Sequence, residues 1–263
     1  MLEIAIDAAR RAGLFLKENV GKIKNIEEKL GNEKNLVTEI DKKSEQIIVD
    51  ILRRNYPSHQ ILGEEGGGQG EQSAEYKWVI DPLDGTTNYT HAFPVFCVSI
   101  GLEVKGEVVL GVLYDPNFDD LFWAEKGKGA YLNGKRLSVS KVSALKKSML
   151  VTGFPYNINE NPDHAIEHFV NFLKVSQAVR RMGSAAIDLA YVAAGRYEGL
   201  WEVNLQPWDM AAGVLLVTEA GGKVTGFSGK AASIYDHQIL ATNGLVHEEM
   251  VGVLARATHP PIG

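Results

Sequence analysis

The stretch WVIDPLDGTTNY, residues 78–89, constrains any fold that contains it. Trp78, Val79 and Ile80 read as a buried strand that ends at Asp81, yet Asp84 comes soon after, with Pro82, Gly85, Thr86 and Thr87 around the two acids. An acid at the edge of a core is costly unless it is paired or bound to a metal. Pro82 imposes an extended or turn conformation and Gly85 permits a sharp reversal, so both carboxylates are able to point into one small volume. Two carboxylates within ~4–6 Å raise each other's pKa unless a cation intervenes, which favours a divalent metal site. The alternative is an ordinary Asp-Pro turn with Asp84 capping the segment after it, because Asp, Pro and Gly are the common turn residues.

The rest of the chain allows a large core around this feature. At 263 residues and 45% hydrophobic composition it can form one large domain or two tightly joined subdomains. Cys97 is the single cysteine, which implies a reducing compartment, and the cytosol is the expected location. The N-terminal MLEIAIDAARRAGLFLKENV carries Arg10 and Arg11 inside an amphipathic pattern and reads as a helix rather than a signal peptide. No window approaches the roughly 18 consecutive apolar residues of a membrane span. A net charge of -6 argues against general affinity for nucleic acid or anionic membranes. The expected partner is small, or is brought in by cations.

Periodicity predicts a helix over residues 2–20 stopped by Gly21, and a second from Thr38, its N-cap, to Asn55 before Pro57. GEEGGGQGEQ, residues 63–72, reads as a mobile loop. Residues 77–137 read as an antiparallel block with turns at Lys105-Gly106, Asp115-Pro116-Asn117 and Asn133-Gly134. After about Ser140, strands alternate with helices at 162–174, 184–194, 207–220 and 246–256, which predicts sheet layers sandwiched by helices with a cleft between the halves.

Other acids share the placement of Asp81 and Asp84 at element ends beside apolar structure. Glu64 and Glu65 stand where HQILG enters the glycine run, and could simply be solvated. Asp41 and Asp209 fall in the first turns of their helices, where either could be only a dipole-compensating cap; Glu202 at the end of GLWEV is equally ambiguous. Hard oxygen ligands without His or Cys select Mg²⁺, Mn²⁺ or Ca²⁺. Gly85-Thr86-Thr87 and Gly183-Ser184-Ala185 offer free backbone N–H groups for an anion, so cations and an N–H cradle together describe a phosphate site.

His164-Ala-Ile-Glu-His168 matches a zinc-peptidase spacing, but Asp163, His164, Glu167, His168, Asn171 and Lys174 read as one solvated stripe opposite Ile166, Phe169, Val170 and Leu173. There is no P-loop and no strand-linked G-x-G-x-x-G. Ser184 has no nearby His to suggest a hydrolase triad.

The motifs NLVTEID (35–41), LGEE (62–65), WVIDPLDGTTNYTHAFP (78–94), GSAAIDLAYVAAG (183–195) and WEVNLQPWDMAAGVLLVTEAGG (201–222) together resemble the inositol monophosphatase family. That family belongs to the lithium-sensitive, magnesium-dependent sugar and inositol phosphatases. Asn35 stands where the family often has Asp, which leaves the metal ligands intact. The resemblance implies a single phosphatase domain over 1–263, folded as a five-layer αβαβα sandwich. Its antiparallel-rich N-terminal half would span about 1–140 and its alternating α/β half 141–263, with the site at their junction and a homodimer as the usual assembly.

By motif, Glu64, Asp81 and the Leu83 carbonyl would hold a first Mg²⁺, and Asp81, Asp84 and Asp209 a second; a third, weaker one would lean on Glu64. Mn²⁺ would substitute, and Ca²⁺ or Li⁺ would inhibit. Thr86, Asp41 and Glu64 would be catalytic. Asp84, Gly85, Thr86, Ser184, Ala185, Glu202 and Asp209 would meet the substrate. Arg180, with Arg181 and Arg196 as alternatives, could bind a second phosphate. The expected activity is hydrolysis of inositol 1-phosphate or a similar sugar or polyol phosphate, with fructose 1,6-bisphosphate as the alternative substrate. Membrane and direct nucleic-acid binding are not expected; a contact with the transcription machinery is the reading from another class.

Overall fold

The computed structural model describes residues 1–22, 26–28, 36–71 and 74–256; Asn35 lies outside them. Helix α1 (Leu2–Asn19) is followed by an antiparallel pair, β1 (Ile26–Glu28) and β2 (Leu36–Thr38). Thr38 then caps α2 (Glu39–Asn55): its hydroxyl accepts from the Ile40 and Asp41 amides while the Asp41 side chain accepts from the Thr38 amide. This reciprocal box fixes the helix start.

The large sheet contains β3 (Gln60–Gly63), β4 (Gly67–Gln69), β5 (Tyr76–Asp84), β6 (Cys97–Val104), β7 (Glu107–Asp115), β8 (Asp120–Glu125), β9 (Gly129–Leu132) and β10 (Lys135–Arg136), with the short helix α3 (Thr86–Thr90) after β5. Its strand order is β10-β9-β8-β7-β6-β5-β3-β4. From β5 to β10 every neighbour is antiparallel, whereas β3 runs parallel to β5.

A second sheet, ordered β12-β11-β13-β15-β14, is built from β11 (Met149–Thr152), β12 (Ala178–Arg180), β13 (Gly199–Val203), β14 (Lys223–Thr225) and β15 (Gln238–Thr242). Here β11 is parallel to both β12 and β13, and β15 runs antiparallel to β13 and β14. The helices between these strands are α4 (Ala165–Val175), α5 (Ala185–Ala193), α6 (Pro207–Glu219) and α7 (His247–Leu254).

Side-chain alternation sorts the core into three slabs. Trp78 and Ile80 of β5 pack outward with Ala8, Ala12, Ile48 and Leu52 of α1 and α2, whereas Val79 between them packs inward with α5 and α6. Leu200 and Ala241 of the second sheet join that inner slab, while Trp201 and Leu240 face outward to Phe172 of α4 and Met250 of α7. Both sheets are covered on both faces, so their central strands are continuous apolar runs. The result is a mixed α/β sandwich in which α5 and α6 form the middle layer. Gly101 and Gly111 let α6 sit directly on β6 and β7: a Cβ at Gly111 would stand 2.8 Å from the Ala212 Cα. Among the described residues no helix is long and apolar enough to cross a membrane.

Several sequence-based expectations need correction. The glycine-rich run expected as one loop over 63–72 is, over its described residues 63–71, not one loop, because β3 and β4 pair antiparallel through it with Gly63 opposite Gly67. The strand expected to end at Asp81 continues through Pro82 to Asp84. The helix expected from 162 begins at Ala165, after a turn in which Asn161, Asp163 and His164 adopt positive φ. On α4 His168 and Asn171 are buried, with His168 edge-on to Phe227, while Ile166 and Leu173 are exposed. The stripe containing His168 is therefore not a solvated face, and His164 precedes the helix instead of sharing a zinc-binding face with His168.

Candidate active site

Asp81 and Asp84 are brought to one face by a bulge. The β5–β6 ladder pairs Asp81 with Ser99 and then Asp84 with Cys97, so β5 carries one extra residue between these pairs. Residues opposite each other across a ladder share a face, and Cys97 and Ser99 lie on the same side of β6. Unbroken alternation would have sent the acids to opposite sides. Pro82 fits a bulge, where a missing N–H is tolerated, and its carbonyl accepts from Ser44 Oγ at 2.8 Å.

The remaining acids enter on element ends. Asp209 accepts the Gln206 amide at 2.7 Å as the reciprocal cap of α6, and Asp41 accepts the Thr38 amide at 2.9 Å as that of α2. Each also has a second contact. Asp209 lines the cleft, and Asp41 Oδ1 lies 3.1 Å from Thr86 Oγ1, which is itself 3.2 Å from the Leu83 carbonyl.

The cleft has a volume of about 540 Å³. One wall takes Glu64 from the turn after β3, Asp81, Leu83 and Asp84 from the end of β5, and Gly85 and Thr86 from the start of α3. The same lining takes Ser184 and Ala185 from the start of α5, Glu202 from β13, and Asp209 from α6. Asp41 stands behind Thr86. This position comes from topology: β11, β12 and β13 are mutually parallel, and the segments after their carboxyl ends line the cleft, as do those after the parallel pair β3 and β5.

Arg180 is not in the cleft. At the end of β12 its guanidinium turns back to the Val179 carbonyl at 3.2 Å, whereas Arg181, the next residue and so on the other side, lines the wall. Arg196 is stacked on Tyr191, 4.3 Å from the ring centre, and leans toward Asp120. The start of α5 is not a free anion cradle either. Ser184 Oγ and the Ala186 amide both donate to Asp84 Oδ2, each at 2.7 Å, so this terminus anchors a carboxylate of the chain itself.

Sequence reasoning missed Gly153, Tyr156 and Asp188. Asp188 falls one helical turn after Ser184 and so on its face, a spacing that could have revealed it. Asp188 Oδ1 and Glu202 Oε2 are both buried without a hydrogen-bond partner. A Cβ at Gly153 would collide with Glu202 Oε1, so this glycine makes room for the acid. Tyr156 stands after β11 with about half its surface exposed, and partial desolvation at the cleft, together with Glu64 and Asp209, pushes its phenol upward.

Charge is concentrated here. Burial pushes the Asp81 carboxyl well above its usual range, and the Glu64, Asp84 and Asp209 carboxylates add to the shift. Asp209 is raised by burial, then by Asp84 and Glu64. Burial also raises Asp84, opposed by the bonds from Ser184 and Ala186. Asp41 is raised by burial against the bonds from Thr38 and Thr86. Glu202 is pushed up to about 8, by burial and then by Asp84.

Among the described residues no group of three or more His, Cys, Asp or Glu side chains is gathered closely enough to hold a metal ion as they stand. The four carboxylates instead line one cleft, where the others add to the upward shifts of Asp81 and Asp209, and the cleft lining contains no His or Cys. Oxygen donors in mutual repulsion fit a hard divalent cation and do not fit zinc or copper.

The sequence profile described as the inositol monophosphatase family matches residues 1–259. A relative from Pseudomonas aeruginosa named Nus factor SuhB is 46% identical over 92% of this chain and 91% of its own length. Another, from Aquifex aeolicus, is named fructose-1,6-bisphosphatase/inositol-1-monophosphatase and is 42% identical over 96% of this chain and 94% of its own. The solved structure of inositol monophosphatase from Anabaena (Nostoc) sp. superposes with a TM-score of 0.89 at 46% identity, covering 99% of this chain and 96% of that one. With whole-length likeness in both sequence and fold, the chain belongs to the inositol monophosphatase family and is a phosphatase.

Proposed function

We propose that the cleft hydrolyses phosphate monoesters of small polyols, inositol 1-phosphate in particular, with Mg²⁺ as its cation. The observation that carries this reading is the wall formed by Glu64, Asp81, Asp84 and Asp209 around one cavity, next to the Thr86–Asp41 pair. Glu64, Asp81 and the Leu83 carbonyl would hold one cation, and Asp81, Asp84 and Asp209 a second. When bound, such cations lower the pKa of water and neutralise the phosphoryl oxygens and the departing alkoxide.

The chain's own part is to position. Thr86 directs its hydroxyl proton to Asp41, which leaves an oxygen lone pair to accept a hydrogen bond from the attacking water. This orients the water, and Asp41, made more basic by burial, accepts charge through the hydroxyl; such general-base help is worth about 10²–10⁴-fold. Ser184 and Ala186 grip Asp84 Oδ2, which leaves Oδ1 for the cavity.

The acids Asp188 and Glu202 on the cleft lining support a polyol substrate, because carboxyl oxygens are acceptors for hydroxyl donors. Arg181 supports a second reading, a bisphosphate such as fructose 1,6-bisphosphate, by putting a guanidinium on the same wall. The name Nus factor on the Pseudomonas relative supports a separate role in the transcription machinery.

Phosphate release from inositol 1-phosphate, fructose 1,6-bisphosphate and glycerol phosphate, measured with Mg²⁺ for wild type and Asp84→Asn, tests these readings. The expected result is turnover by wild type that the variant loses. Equal inertness of both proteins across the panel would leave the interaction role standing.

A further inference from the structure

We infer that Glu45 is a positioning residue whose carboxylate sets the direction of Glu64. Glu45 lies on α2 and is 5% exposed. Its Oε2 accepts the Glu65 amide at 2.8 Å, and its Oε1 accepts the Gly66 amide at 2.7 Å. The Glu65 amide belongs to the planar peptide that also contains the Glu64 carbonyl, so holding it fixes the backbone torsion on the carboxyl side of Glu64. The pairing of Gly63 with Gly67 fixes the other end of the same turn.

The glycines flanking the two glutamates are part of this arrangement. A Cβ at Gly63 would stand 2.5 Å from Glu45 Oε2, and one at Gly66 would stand 2.6 Å from Glu45 Oε1. Both positions lack a side chain where the carboxylate must approach. The run that reads as flexible in sequence is thus shaped to receive a buried acid from α2.

That acid belongs to a polar strip. Asp41, Ser44 and Glu45 are all buried on α2, and they reach Thr86, the Pro82 carbonyl and the Glu65-Gly66 amides in turn. A single helix face therefore aligns the water-orienting hydroxyl, the β5 bulge and the turn that carries Glu64. This inference rests on the reading of Glu64 as a cation ligand. Residues that orient ligands in this way typically contribute about 10–100-fold to metal affinity.

The test uses Mn²⁺ as the probe, counted directly by equilibrium dialysis with electron paramagnetic resonance, on the full chain. Glu45→Ala should weaken Mn²⁺ binding by about 10-fold or more, and Glu45→Gln, which retains one acceptor, should lie between Ala and wild type. Ile48→Ala, a core truncation on the same helix, should lower the thermal midpoint without changing Mn²⁺ affinity. If Glu45→Ala fails to fold, the Gln variant carries the test with a shift of about threefold or more. Destabilised Glu45 variants that bind Mn²⁺ as wild type does would overturn the inference. Wild-type binding that Glu64→Gln leaves unchanged would instead overturn the ligand reading, and the inference with it.

Discussion

Thr86 Oγ1 and Asp41 Oδ1 meet at 3.1 Å although 45 positions separate them in the chain. The pair joins the first turn of α2 to the first turn of α3, so each helix start aims a group at the other. Removing the hydroxyl leaves the carboxylate wall intact. Thr86→Ala is therefore expected to lower kcat by about 10²-fold or more with a small change in KM, while Thr86→Ser keeps most of the rate. Steady-state phosphate release checks this, and a KM effect alone would reassign Thr86 to binding.

Asp81 is buried among like charges. Its carboxyl is raised in the folded state by burial and by Glu64, Asp84 and Asp209. A raised carboxylate contributes stability that is fully present below its unfolded pKa, about 4, and is lost as pH rises through the folded value. Metal-free wild type should therefore lose stability relative to Asp81→Asn from pH 4 upward. The variant should melt higher at pH 8 without metal, gain little from added Mg²⁺, and be inactive. Thermal melts across pH with and without Mg²⁺ decide this, and identical profiles for the two proteins would remove the strain argument.

Much of this was legible because the acids sit at element ends. Asp41 and Asp209 could be read as helix caps or as site groups; both are caps, Asp209 also lines the cleft, and Asp41 also meets Thr86. The motif also tied Glu64, Asp81 and Asp84 to a shared pocket. What periodicity could not carry was the β5 bulge, since one inserted residue reverses a face without changing composition. Glycine density hid the β3–β4 pairing, because the carboxylate that organises it comes from α2. His168 was misread because an imidazole is polar in pattern yet packs as a ring, here edge-on to Phe227.

The close seat of α6 on the large sheet gives a prediction that links packing to the site. A methyl at Gly111 would meet the Ala212 backbone at 2.8 Å, with no flexible side chain to yield. Gly111→Ala should destabilise by about 1–3 kcal/mol and lower activity, because shifting α6 moves Asp209 at its start. Gly252→Ala on α7 has open space around its new methyl and should be neutral or stabilising by up to about 1 kcal/mol. Paired melting and activity measurements test the contrast, and a Gly111 variant with normal activity would show that the site tolerates helix movement.

Arg181 and Arg180 are adjacent in sequence but divided by the cleft wall, the first lining it and the second bonded to the Val179 carbonyl outside. A charge-assisted hydrogen bond contributes about 1.5–3 kcal/mol, or roughly 10–100-fold in kcat/KM. If Arg181 holds the second phosphate of a bisphosphate, Arg181→Ala should reduce kcat/KM for fructose 1,6-bisphosphate by that factor and change inositol 1-phosphate much less. Arg180→Ala should leave both substrates within about twofold of wild type. Equal losses on both substrates would mean that Arg181 serves the reacting phosphate, or the fold of the wall, rather than the distal group.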